Sequence, residues 1–250
     1  MELLKTMWRF TFGDNKELDE GQKALEAIQD LLVKAITKHE GDPHALTLEE
    51  MGPIKAICDQ LHPANFQLKV PNAAKDGLER PKRVHYEHVY EDETFSIGIF
   101  ILPPGVSIPL HDHPGMSVIS RLLYGSLHIK ACDLVPNKGA STGNNSQYLA
   151  RLRVDEVVTA PVTVELLPER HNLHELTGGA DIGCAFFDII TPPYDANEGR
   201  DCTYYRVVGT SDKHEQQSGD KLLVLESYNP TDFDVTPEHY HGPRLQRYVC

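Results

Sequence analysis

The chain has 250 residues and a formal net charge of −13, from 24 basic against 37 acidic side chains. That length suits one large domain, or one domain with a small appendage, and buries enough surface to need no disulfides. The acidic balance speaks against nucleic acid or an anionic membrane surface as the main partner. No apolar run is long enough for a transmembrane helix. The five cysteines, scattered and without a CxxC pair, read as reduced thiols. With a start that turns charged early and lacks a signal-peptide core, the expected setting is the cytoplasm, with the nucleus also open.

In chain order, residues 17–39 read as an amphipathic helix, because Leu25, Ile28, Leu32, Ala35 and Ile36 fall near helical spacing. Gly41, Asp42 and Pro43 end it. A second helix has two candidate starts: a capping box at Thr47 and Glu50, or Pro53 as the first helical residue before Ile54, Ile57 and Leu61. Residues 1–70 are therefore expected to form a helical segment that packs on the rest of the chain, and 71–83 a polar connector. From Val84 the texture changes. VHYEHVY, FSIGIFIL, SVISRLLYG, LHIKAC, TVELL, CAFFDII, TYYRVV and KLLVLESY are short β-rich runs with no helices between them. Such spacing predicts a mainly β sandwich or jelly-roll barrel over 84–250. Polar loops are expected at 136–147 and 209–221.

Thirteen histidines are a surplus for this length, and two of them carry the first chemical signal. In Gly105-Val-Ser-Ile-Pro-Leu-His111-Asp112-His113, residues two apart on a strand face the same way. Both imidazoles can then enter one cavity, as a metal requires. Asp112 between them must point to the opposite face. Gly105, the HxH pair and Gly125 together resemble the first cupin motif, whose acidic ligand position is here Val118, next to Ser117. With that carboxylate missing, a third histidine is expected from a later strand. His174, in HNLHEL, is the natural one. His171 is the alternative, although its spacing is odd for one strand face. A three-histidine site is neutral, so it leaves the full charge of a dication to attract an anion such as a thiolate.

The blocks SIPLHDHPGMSV, HNLHEL and AFFDIITPPYDANEGRDCTYYRV closely resemble the cupin thiol dioxygenases, a family of animal aminothiol dioxygenases and plant cysteine oxidases. The ending LLVLESYNPTDFDVTPEHYHGPRL looks more like the animal members. The resemblance implies a double-stranded β-helix with Fe(2+) held by His111, His113 and His174. It implies O2 as co-substrate and a sulfinic acid as product. Substrates would be cysteamine, proteins with an N-terminal cysteine, or both, with the oxidised terminus feeding oxygen-dependent protein degradation and so oxygen sensing. It also implies a monomer. The family's active-site aspartate falls on Asp188, its tyrosine after the double proline on Tyr194, and its crosslinking cysteine and tyrosine on Cys202 and Tyr204. Those two would share a face if their segment is a strand. Asp188 lies in an apolar run and needs a partner if buried: a backbone N–H or an arginine if structural, a substrate ammonium or a histidine N–H if functional. Cys58, Cys132 and Cys184 read as core filler. A regulatory, non-catalytic cupin and a zinc or manganese isomerase are the rival readings of such a barrel.

Overall fold

The computed structural model describes residues 2–39, 43–72, 83–135, 140–142, 145–211 and 221–247. The connector expected at 71–83 and the loop at 209–221 lie largely outside these residues, whereas the loop expected at 136–147 is strand where it is described, at 140–142 and from 145 onward. Helix α1 (Glu2–Thr37) starts well before residue 17. The residues ahead of the apolar stripe include Leu, Lys, Met and Glu, all strong helix formers, and no proline, so nothing stops the helix there. Helix α2 (Leu48–Cys58) uses the capping box: Thr47 Oγ1 accepts from Glu50 N at 3.3 Å, and Glu50 Oε2 accepts from Thr47 N at 2.9 Å. Two otherwise orphaned N–H groups are satisfied this way. Pro53 falls inside the helix rather than at its start. No helix among the described residues is long and apolar enough to cross a membrane.

The strands are β1 (Val84–Glu91), β2 (Ser96–Leu102), β3 (Ser107–His111), β4 (Ser117–Leu134), β5 (Ala140–Thr142), β6 (Asn145–Thr159), β7 (Val162–Leu166), β8 (Leu173–Gly178), β9 (Cys184–Thr191), β10 (Tyr205–Thr210), β11 (Leu222–Ser227) and β12 (Val235–Glu238). One face runs β12-β1-β2-β9-β4-β7, and the other β3-β8-β4-β6-β11-β10, with β5 folded back on β6. Every pair is antiparallel except β1 with β12. This is the double-stranded β-helix of the cupins, a jelly-roll barrel that is mainly β.

Strand β4 joins the two faces, and it corrects the expectation of separate strands at SVISRLLYG and LHIKAC. It is one strand of 18 residues. Its first half pairs with β9 and β7, and its second half with β6 and β8. The turn between the halves is made at Gly125, where φ is +78° and an added Cβ would lie 1.9 Å from the Gly183 carbonyl oxygen. Only glycine takes that backbone without strain. Gly125→Ala is expected to lower the unfolding free energy by roughly 2 kcal/mol or more. The check is the urea midpoint at constant m-value, and an unchanged midpoint would mean that the kink needs no glycine.

Strands β5, β6 and β12 were not expected. In β6 the charges of Arg151, Arg153, Asp155 and Glu156 mask the alternation, and in β12 Pro237 reads as a breaker although an edge strand tolerates it.

The helices cover the outer face of the first sheet. Leu25, Ile28, Leu32, Met51, Ile54 and Phe66 pack against Ile97, Ile119, Phe187 and Ile189. Phe66 and Phe187 stack at 5.1 Å between ring centroids. Arg121, itself buried, ties the end of α2 to the barrel by donating to the carbonyls of Asp59 (2.7 Å) and Leu61 (3.2 Å). This cover explains why all of β9 is buried. Phe187 and Ile189 face the helices, whereas Phe186 packs in the second cluster and Ile190 in another, on the barrel side. Asp188 shares the inward parity of Phe186 and Ile190.

Candidate metal centre

The backbone brings His111 and His174 together, because they are paired residues of β3 and β8. His113 is placed differently from expectation. The strand ends at His111, so simple alternation does not orient His113. A buried amide does. Asn172 Oδ1 accepts from His113 N at 3.1 Å, and its Nδ2 donates to His113 O at 2.7 Å. Asp112 braces the same turn. Its carboxylate accepts from Thr203 N at 2.8 Å and from the Tyr205 hydroxyl at 2.9 Å. Neither bracing contact was legible as such in the sequence.

All three imidazoles are buried, and their ligating nitrogens lie within 4.8 Å of one another. The His113 and His174 Nε2 atoms are 3.1 Å apart, and those of His174 and His111 are 3.2 Å apart. The other ring nitrogens fix which one carries the proton. His111 Nδ1 donates to the Pro109 carbonyl at 2.8 Å. The Tyr194 hydroxyl donates to the Asp112 carbonyl at 2.9 Å, so its oxygen is left to accept from His113 Nδ1 at 2.8 Å. In both rings the Nε2 lone pair then faces inward. Burial, by far the main cause, lowers the pKa of His111 to about 4 and those of His113 and His174 well below the ordinary value, so the rings are neutral at neutral pH.

Lone pairs crowded at such distances repel one another unless a cation lies among them. Two ring nitrogens on one first-row ion at the usual ~2.1 Å stand about 3.0–3.4 Å apart, depending on the angle, which brackets both observed spacings. The residues therefore fit a divalent metal held by three neutral nitrogens. Two other groups of three donors occur among the described residues, His39–His44–Glu50 and Glu17–Glu20–His62, but each has an exposed member. His171 is outside the triad. Its φ is +58°, and its N–H donates to Asp133 Oδ1 at 2.6 Å.

Residues 57–245 match the sequence family PCO_ADO, which is most of the chain. The chain belongs to the PCO_ADO family. Among its relatives, plant cysteine oxidase 1 of Arabidopsis thaliana is 32% identical, over 92% of this chain and 84% of the relative. The human 2-aminoethanethiol dioxygenase is also 32% identical, over 79% of this chain and 82% of the relative. An RmlC-like cupin from Shewanella frigidimarina aligns with 47% of the chain and 83% of its own at 14% identity and a TM-score of 0.34, too distant to bear on function.

Of the remaining residues that the family resemblance singled out, Tyr194 and Tyr204 contact histidines of the triad, and Asp188 shares a cavity with Tyr194. Asp188 sits on β9 opposite Ser120 of β4 and Gly98 of β2. Among the described residues neither a backbone N–H, an arginine nor a histidine partners its carboxylate; the Ser120 hydroxyl does, and Oδ1 has no partner there. Asp188, Glu91, Tyr86 and Tyr194 line one cavity of about 310 Å³. Gly98 makes room there: a Cβ would meet the Tyr86 ring at 2.3 Å. Cys202 precedes the strand rather than lying in it, yet its thiol hydrogen-bonds with both the Tyr194 and the Tyr204 hydroxyls. Tyr204 bridges to His111 through the backbone. Cys58, Cys132 and Cys184 are buried thiols, as expected of core filler.

Tyr194 is thus a positioning residue for His113. Tyr194→Phe is expected to weaken metal binding roughly 10- to 100-fold, the usual cost of losing a ligand's outer hydrogen bond. Metal titration of the variant checks this, and unchanged affinity would leave His113 held by Asn172 alone.

Proposed function

We propose that this chain is a non-haem iron(II) thiol dioxygenase that adds both atoms of O2 to the thiol of cysteamine, of a protein N-terminal cysteine, or of both. The observation that carries the reading is the neutral, fully buried triad of His111, His113 and His174 in a chain of this family. Among the described residues no carboxylate shares the triad, so these ligands leave a dication's charge uncancelled. Bound iron(II) would supply open coordination positions for thiolate and O2 and the electrons that couple them.

The chain's own residues do the rest. Asn172, Asp112 and Tyr194 hold the imidazoles in one orientation, so little reorganisation is needed on binding. Asp188, with one carboxylate oxygen free, receives the ammonium that cysteamine and an N-terminal cysteine share. Glu91 in the same cavity adds to the attraction for a cation. Cys202, its thiol pushed up to about 11 by burial, stays protonated and does not compete with the substrate thiolate. Its contact with the Tyr204 hydroxyl supports the crosslink between the two that the family resemblance implies. The sulfinic product lies two oxidation levels above the thiol. On an N-terminal cysteine it would mark a protein for oxygen-dependent degradation in the cytoplasm or nucleus.

The test is to load the protein with iron(II), supply air, and offer cysteamine or a peptide beginning with cysteine. Mass spectrometry should find two oxygen atoms on the thiol, and none with His174→Ala. Gain on the peptide assigns protein termini as substrates, and gain on cysteamine alone assigns a small-molecule enzyme. Iron bound with no oxygen added to either thiol would transfer the reading to a regulatory cupin.

A further inference from the structure

The barrel has a second cavity, for which aminothiol binding has no use. It measures about 240 Å³ and is lined mainly by residues of β4, β6, β7 and β8. His174, Ser120, Ile129, Val154, Val164 and Leu176 are among its lining. The strand register explains the lining. Ala131 faces His174 across the ladder, Ile129 faces Leu176, and Val154 faces Ala131, so one inward row of apolar side chains leads to the histidine. Two carboxylates also line the cavity: Glu156, opposite Ile129 in the ladder, and Glu165. Glu156 is exposed to solvent, and Glu165 is drawn outward by ion pairs with Lys55 and with Arg170 (3.1 Å).

The two cavities differ in chemistry and meet at one bond. On one side lies Asp188 with its free oxygen, beside Glu91. On the other lies an apolar passage. The hydrogen bond from Ser120 to Asp188 stands between them. We propose that the Ile129–Val154–Val164 cavity is the binding and entry site for O2, separate from the cavity that takes the aminothiol. An uncharged diatomic prefers an apolar space to water, and dry apolar cavities in proteins take up small apolar gases. A charged aminothiol meets a buried carboxylate with a free oxygen in the other cavity, whereas the carboxylates of this one are solvent-exposed (Glu156) or ion-paired (Glu165). The separation lets the thiol fill its own cavity without closing the way to O2. This inference rests on the dioxygenase reading.

Xenon is the probe, because it reports the cavity without any turnover. Crystals of the iron-loaded protein pressurised with xenon should show the atom between Ile129, Val154 and Val164. Val164 is half-buried, so Val164→Phe should fold and fill the space; Val154→Phe is the second variant. Either should abolish the xenon site and raise the KM for O2 about threefold or more, with the KM for the thiol unchanged. No xenon in the cavity, or a rise in the thiol KM instead, overturns the assignment. The two readings fail differently. Wild-type protein that consumes no O2 with any thiol defeats both, whereas normal consumption without xenon uptake defeats only the entry site.

Discussion

Alanine at position 174 is expected to cost the protein its proposed iron, with metal affinity falling more than the ~100-fold that loss of an outer partner can cause. Thiol oxygenation should fall with it to background. The expectation is strong because His174 is both ligand and hub. Its Nε2 is within 3.2 Å of each of the other two Nε2 atoms. Its backbone is fixed by ladders to β3 on one side and β4 on the other, so the fold does not depend on the ring. The iron-free variant makes the claim sharper. Removing one of three crowded lone pairs relieves repulsion, so the iron-free melting temperature should be unchanged or higher even as metal binding is lost. Elemental analysis beside a thermal melt reads both. A variant that keeps one equivalent of iron would take His174 out of the ligand set, and one that melts earlier without iron would make it structural.

The triad was legible in the sequence because its signal is local. Two histidines at i and i+2, glycines at motif spacing and a third histidine in a later β run need no knowledge of distant contacts. The absence of a carboxylate at Val118 was legible for the same reason, and it set the charge of the site. What holds the triad was not legible. Asn172 clamps the backbone of a residue 59 positions away, and Ser120 meets Asp188 only because β4 and β9 pair in one register. Neither residue type is unusual where it stands. The long β4 was read as two strands because Gly125 punctuates it, and a glycine that ends a strand looks, in sequence, like one that bends it. The start of α1 failed on the opposite ground: the apolar stripe marks where a helix packs, whereas helix formers without that stripe can extend it further.

Asp188→Asn is expected to move activity and stability in opposite directions. Burial raises the Asp188 carboxyl from 3.8 to about 7, against the pull of the Ser120 hydrogen bond. In the iron-free protein the native state therefore keeps a proton, between pH 4 and 7, that the unfolded chain has released. Stability falls as pH rises through that window, and the loss is complete above about pH 7, where it amounts to at most ~4 kcal/mol. Asparagine carries no such proton. The iron-free variant should match the wild type near pH 4 and exceed it at pH 8, by denaturant melts at both values. Catalysis should go the other way. An ammonium paired with a buried carboxylate is worth about 1.5–3 kcal/mol, so kcat/KM for cysteamine should drop roughly 10- to 100-fold with iron still bound. A thiol without an amine has nothing to lose, and its kcat/KM should hold. If both thiols fall equally, Asp188 does not hold the ammonium. If neither falls while stability rises, the carboxylate is a cost the barrel carries for some other reason. The split between the two thiols, with the gain at pH 8, is the result that a group kept for binding produces and a merely structural one does not.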